Sequence, residues 1–251
     1  MRRTMLSRGE SPFFDGAEVV IREARSVGVS LDEAAACVLL ELMQTVENSV
    51  VNVSGIHGSA AMRQKHVIDS LACLPVARLR DGECCVDVGS GGGFPGLPLA
   101  IASPHVEFTL VESVGRKAAF LRSAVERLGL KNVEVVNERA EWLGRQATWR
   151  ERADCVVVRA VAAMRVVAEY CLPLCVLGGR WISLQGPSGE GEFGRAESLI
   201  SALGGRLGEQ LELRLPGGDA RRVVRVEKVR GTPRRFPRVS ARGTRPAGEG
   251  P

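Results

Sequence analysis

From Cys84 onward, short apolar runs alternate with stretches of helical spacing. The apolar runs lie near 84–88, 106–111, 132–136, 154–159 and 179–184, and the helical stretches near 96–102, 115–128, 140–147 and 162–176. Regular alternation of this kind predicts an α/β protein with a parallel, doubly wound sheet. Two further β-rich runs, Arg206 to Leu215 and Arg221 to Val229, flank Pro216-Gly217-Gly218-Asp219, a hairpin signal. Together they predict a seven-stranded, Rossmann-like sheet that ends in an antiparallel pair. Upstream the pattern is helical over Glu10–Val27, Leu31–Val46 and Ser59–Leu74. Ser30 with Glu33 three residues later reads as a capping box for the second of these. The expected organisation is a helical extension over 1–80, a catalytic core over 81–230, and a tail over 231–251.

The chemistry concentrates where the first strand ends, at Val86-Asp87-Val88-Gly89-Ser90-Gly91-Gly92-Gly93-Phe94-Pro95-Gly96. A buried strand running into a glycine-rich turn and a helix start is suited to a nucleotide-like cofactor, because glycine admits positive φ and close approach. A dinucleotide fingerprint requires a glycine where Phe94 stands, and a P-loop requires Gly-Lys-Ser/Thr, which is absent. Asp87 beside the turn would repel a diphosphate and would order the ammonium end of S-adenosylmethionine (AdoMet). The second strand ends at Glu112-Ser113, a position from which a carboxylate accepts hydrogen bonds from both ribose hydroxyls. The third leads to Glu138-Arg139-Ala140-Glu141, placed along the adenine edge. The cofactor set is therefore Asp87, Gly89, Ser90, Gly91, Gly93, Phe94, Glu112, Ser113, Ala140, Glu141 and Arg159; solvated loop or cap roles are the alternative for the acids.

These residues resemble the bacterial 16S ribosomal RNA guanine-N7 methyltransferase G family, also called glucose-inhibited division protein B. Asp87 to Ala100, with Phe94-Pro95-Gly96-Leu97-Pro98-Leu99, is similar to its glycine-turn pattern. Lys65-His66-Val67-Ile68-Asp69-Ser70, Glu112 to Leu121, Arg159-Ala160-Val161-Ala162 and Thr232 to Arg238 resemble its other motifs. The chain departs from the pattern at Val51-Asn52-Val53-Ser54, which lacks the family's aromatics, and at Gln185-Gly186, where the family carries Lys-Gly. The resemblance implies AdoMet-dependent methylation of a guanine N7 in the 530 loop of 16S rRNA. The partner is naked rRNA or the small ribosomal subunit, and the expected enzyme is a cytoplasmic monomer without a metal. Arg159 would hold a phosphate or the guanine O6 edge; a structural ion pair with Asp87 or Asp154 is the alternative. His66 and Asp69, spaced i, i+3, would frame the substrate entrance, or cap and pack. N7 carries a lone pair and no proton, so no dedicated base is expected. The fourth-strand exit also lacks the Asn/Asp-Pro-Pro-aromatic pattern of amine methylation.

Composition narrows this further. No apolar stretch reaches the ~20 residues of a membrane span, and no secretory leader is evident. The seven cysteines show no zinc spacing and read as core thiols of a reducing compartment, with Cys171 and Cys175 one turn apart on a helix face. The net charge is +5, and Arg230–Pro251 holds six arginines and one acid; without that segment, bases and acids balance at 28 each. Such a Pro/Gly-rich tail is not expected to pack, and suits phosphate contact. Arg116, Lys117 and Arg122 form a solvated helix face or an rRNA contact. Base stacking would fall to Phe94, Trp142, Trp181 or arginine planes. The rival functions are methylation of another RNA or a small molecule, and a non-catalytic AdoMet- or RNA-binding protein.

Overall fold

The structure is a computed structural model describing residues 12–53, 55–56, 58–159, 162–186 and 191–238. Seven strands form one sheet: β1 Cys84–Val88, β2 Glu107–Val111, β3 Val133–Val136, β4 Ala153–Arg159, β5 Cys175–Gln185, β6 Gly205–Arg214 and β7 Ala220–Lys228, in the order β3-β2-β1-β4-β5-β7-β6. The first five are parallel, and β7 pairs antiparallel with both β5 and β6. The sequence-predicted α/β fold and its closing hairpin are as expected.

Strand alternation sends side chains to two covered faces. On one face Val86, Val88, Val156, Val158 and Trp181 pack with α8 Ala140–Leu143, α9 Met164–Cys171 and α10 Glu192–Ala202. On the other, Phe94, Leu97, Leu110 and Leu121, from α6 Gly96–Ala102 and α7 Gly115–Arg127 and their surroundings, share a cluster with α1 Pro12–Ser26 and α2 Glu33–Glu47. The next helical stretch joins α3 Ser59–Met62 to α4 Asp69–Leu71 through π-helical Arg63–Ile68, and α5 Leu74–Ala77 follows. Among the described residues no helix is long and apolar enough to cross a membrane, and no group of three His, Cys, Asp or Glu is placed to hold a metal.

Several local expectations are corrected. The α2 N-cap is Asp32, whose Oδ1 accepts from the Ala35 N–H at 2.7 Å; the capping box at Ser30 does not form because the helix starts two residues later than expected, at Glu33. The predicted 162–176 helix stops at Cys171, since Pro173 supplies no N–H to continue it, and Cys175 opens β5 instead of sharing a helix face with Cys171. The 140–147 helix ends at Leu143. α10 was not anticipated, although Phe193, Ala196, Leu199 and Ile200 are buried at helical spacing; Gly191 and Gly194 obscure it. Residues 232–238 lie against the core where no packing was expected, with Thr232 and Phe236 buried. Residues 239–251, with Arg242 and Arg245, lie outside the described residues, as do Ala160 and Val161.

Candidate active site

The glycine turn connects β1 to α6 at the carboxyl edge of the sheet. Gly89, Gly91 and Gly93 have φ of 72°, 57° and 94°, a region that side chains with a Cβ rarely enter. The Gly89 and Ser90 N–H groups both donate to the Val111 carbonyl, at 2.8 and 3.1 Å, which fastens the turn to β2. A Cβ on Gly93 would lie 2.3 Å from Leu97 Cδ1. One on Gly96 would lie 2.3 Å from Leu110 Cδ2 and 2.6 Å from Asp87 Oδ2, and one on Gly92 2.9 Å from the Val53 carbonyl. At Gly91 nothing lies nearer than 3.9 Å, so that glycine borders open space.

Asp87 is fully buried between Leu110 and Val157 of the flanking strands. Its Oδ2 accepts the Gly96 N–H at 3.0 Å, while its Oδ1 is buried without a hydrogen-bond partner among the described residues. Burial pushes this carboxyl up to about 7, against the Gly96 N–H and the Arg159 charge, which favour the anion. A buried acceptor left unpaired costs ~1–3 kcal/mol, and a cationic ligand group supplies what it lacks. Glu112 is held beside it: Oε2 accepts from Gly91 N at 2.9 Å and Oε1 from Val114 N at 2.7 Å. Each carboxylate oxygen retains a second lone pair. The helix start contributes less than its position suggests, because its Gly96 and Leu97 donors are satisfied internally, by Asp87 Oδ2 and the Gly93 carbonyl. Ala140 and Glu141 are buried at the start of α8, with Glu141 3.4 Å from Arg139 Nη1, and Ser113 is exposed.

Arg159, His66 and Asp69 come together at the end of β4. Arg159 Nη1 donates to Asp69 Oδ2 at 3.2 Å and to the Lys65 carbonyl at 2.9 Å, and Nη2 meets His66 Nδ1 at 2.7 Å. Neither Asp87 nor Asp154 is its hydrogen-bonding partner; Asp154 instead accepts from the Cys84 N–H. Burial, then the Arg159 charge, hold His66 down at about 3, so the ring is neutral and accepts at Nδ1. Burial raises the Asp69 carboxyl, and the charges of Arg159 and Arg221 oppose that rise. His66 also stacks on Phe94, with centroids 4.3 Å apart, and Arg159 sits 5.4 Å over the same ring. Phe94 is thereby committed to packing, as is the fully buried Trp181; of the three aromatic rings considered for base stacking, Trp142 remains half-exposed.

Sequence reasoning missed Arg221 of β7, whose Nε donates to Asp69 Oδ1 at 2.8 Å; its only local signal is a charge within an alternating strand. Gln185 is buried at the end of β5, and its Oε1 has no hydrogen-bond partner among the described residues. Strand alternation places it on the sheet face of Trp181, opposite Arg159, since Leu184 is the register partner of Arg159.

A seven-stranded sheet of this order, with an acid and a glycine turn at the end of β1 and a second acid at the end of β2, defines the class of AdoMet-dependent methyltransferases. The fold is that of M. jannaschii TYW2 in complex with AdoMet (TM-score 0.53, 17% identity, 71% of this chain and 81% of that one). It is also that of a SAM-dependent methyltransferase from Aquifex aeolicus (TM-score 0.51, 14% identity, 67% and 93%). The family model described as GidB, rRNA small subunit methyltransferase G, matches residues 34–212. Proteins named ribosomal RNA small subunit methyltransferase G are similar over nearly the whole chain. That of Pelotomaculum thermopropionicum is 43% identical, covering 88% of this chain and 94% of its own, and that of Deinococcus deserti is 41% identical, covering 89% and 93%. The chain belongs to the rRNA small subunit methyltransferase G family.

Proposed function

We propose that this protein transfers a methyl group from AdoMet to N7 of a guanine in the 530 loop of 16S rRNA, acting in the cytoplasm on the rRNA or the small subunit. The bound cofactor supplies a methyl group already activated by its sulfonium. The chain's own residues hold and orient it: Asp87 Oδ1 takes the ammonium end, Glu112 the ribose hydroxyls through its remaining lone pairs, and the Ala140–Glu141 edge the adenine. Gly91 leaves room for the ligand, and Gly89, Ser90, Gly93 and Phe94 shape the turn.

The observation that carries the N7 assignment is the locked state of the titratable groups near the β4 exit. Asp69 is engaged by two guanidiniums, and His66 is neutral with Nδ1 occupied by Arg159. A group tied in this way is suited to positioning, not to removing a proton. A nucleophile that needs no deprotonation matches that arrangement, because proximity and alignment then supply the acceleration. Arg159, His66 and Asp69 are accordingly positioning residues that fix the floor under Phe94 and the turn. The test is methyl transfer from labelled AdoMet to unmodified small subunits and naked 16S rRNA, mapped by cleavage at N7-methylguanine. Label at a single guanine of the 530 loop, lost in Asp87→Ala, is expected. Label elsewhere, or none despite AdoMet binding, overturns the assignment.

A further inference from the structure

The segment that leaves β7 is held with unusual thoroughness for a chain of its composition. Lys228, almost fully buried, donates from Nζ to the Leu172 carbonyl at 2.6 Å and pairs with Glu151 at 3.1 Å. Thr232 donates its N–H to Glu151 at 2.6 Å and its hydroxyl to the Leu203 carbonyl at 2.7 Å. Arg150 directs its guanidinium into the backbone: Nη1 donates to the Gly144 and Phe236 carbonyls, and Nη2 to those of Thr232 and Pro233, at 2.6–3.3 Å. Arg145 donates to the Pro237 carbonyl at 2.9 Å, and Glu169 accepts from both the backbone and the guanidinium of Arg238. Phe236 is buried in the cluster that contains Ala140 and Leu143.

The segment also has a direction. Thr232 lies at the carbonyls of Leu172 and Leu203, just before β5 and β6 begin, at the amino edge of the parallel strands. Phe236 reaches α8, which follows the carboxyl end of β3, and Arg238 sits on Glu169 in the last turn of α9. Burial raises the phenol of the neighbouring Tyr170; the charges of Glu141 and Glu169 add to that rise and Arg139 opposes it. The strap thus runs from the amino edge to the side of α8, whose first residues, Ala140 and Glu141, form the proposed adenine edge.

What the anchoring leaves exposed is charge. Arg234 and Arg235 are exposed and have no carboxylate partner among the described residues; Arg235 lies 5.1 Å over the Phe236 ring. Arg139, Arg145 and Arg152, in the segment between β3 and β4 that the strap packs against, are also exposed. Beyond Arg238 the sequence carries Arg242 and Arg245.

We propose that residues 232–238 form a clamped rail that presents Arg234 and Arg235 to phosphates of the rRNA flanking the methylated nucleotide, on the adenine side of the cofactor site. This rests on the reading of rRNA as substrate. The clamp fixes the backbone, so the two guanidiniums need little further ordering to bind a phosphodiester, and guanidinium geometry matches phosphate bidentately. A strap that merely covers the core edge would act through Phe236, Thr232 and Arg150. It would be indifferent to residues 234 and 235.

The experiment measures binding of the full chain to small ribosomal subunits and to naked 16S rRNA as a function of salt, separately from methyl transfer. The double variant Arg234→Gln/Arg235→Gln keeps every hydrogen bond and ion pair of the clamp and gives up only the contact of Arg235 with the outer face of Phe236. It is expected to lower the slope of log affinity against log salt by about 1–2 and to weaken binding roughly tenfold near physiological salt. Its AdoMet affinity and thermal midpoint should match the wild type. Removing residues 239–251, which leaves the clamp whole, should lower the slope by about 1–2 more. An unchanged slope in the double variant overturns the proposal, as does a change seen only on removing 239–251. Wild-type protein that binds rRNA with the expected dependence on Arg234 and Arg235 but transfers no methyl group would overturn the functional reading and leave the rail standing.

Discussion

AdoMet affinity should rise with pH through neutrality, and the reason is Asp87. In the free protein its carboxyl is pushed up to about 7 by complete burial, with the Gly96 N–H and Arg159 favouring the anion and Glu112 opposing it. Only the ionised form pairs with an ammonium, so binding below this value must first remove a proton. The apparent affinity is then reduced by the fraction ionised, which gives a loss of roughly eightfold between about pH 7.4 and about pH 6, and tenfold per pH unit below that. Above about pH 8 the amino group of the ligand begins to lose its own proton, so the profile should peak between the two. Calorimetric titration with AdoMet across this range provides the assay. Asp87→Asn should bind about 10- to 100-fold more weakly, the value of a hydrogen bond to a charged group, and should lose the acidic limb. The same substitution has an opposite effect on the free protein. The native carboxyl holds its proton up to about 7 while the unfolded chain releases it near 3.8. The native state therefore binds more protons across that interval, and stability falls as pH rises through it, by at most about 4 kcal/mol. Asp87→Asn should raise the thermal midpoint of the unliganded protein at about pH 8. Affinity that is flat from about pH 6 to about pH 7.4, or an unliganded Asp87→Asn protein that melts below the wild type at about pH 8, would refute the reasoning.

Two further substitutions probe the same architecture. Gly96→Ala places a methyl 2.3 Å from Leu110 Cδ2 and 2.6 Å from Asp87 Oδ2; it should cost about 1–3 kcal/mol in chemical denaturation and weaken AdoMet binding by displacing the carboxylate. Asp69→Asn removes the anion between Arg159 and Arg221, which should cost about 3–5 kcal/mol and lower kcat for methyl transfer more than AdoMet affinity; equal losses in both would place Asp69 in the cofactor site instead.

The sheet, the hairpin and the cofactor turn are legible in the chain before it folds. Each of these is written in a window of a few residues. The short, nearly continuous apolar runs at 84–88 and 154–159 read as strands because burial on both faces demands apolar side chains there. The glycines at 89, 91 and 93 read as a turn because their backbone angles require glycine. Asp87 was conspicuous because an acid interrupts an apolar strand. The family motifs supplied His66, Asp69 and Arg159 as names. Which charge pairs with which is set by long-range contacts in the folded chain. Arg159 finds Asp69 across 90 positions and Arg221 finds Asp69 across 152, whereas local reading offered Asp87 and Asp154. Arg150 reaches the Thr232 carbonyl across 82 positions, which turns part of an apparently loose, basic tail into a clamped strap. The seven residues from Thr232 to Arg238 carry too few apolar side chains to announce packing, and the donors that hold them are side chains reaching their backbone carbonyls. Periodicity records which face of an element is buried. The choice of partner for a charge is made by the whole folded chain, because desolvation penalises every unpaired alternative at once.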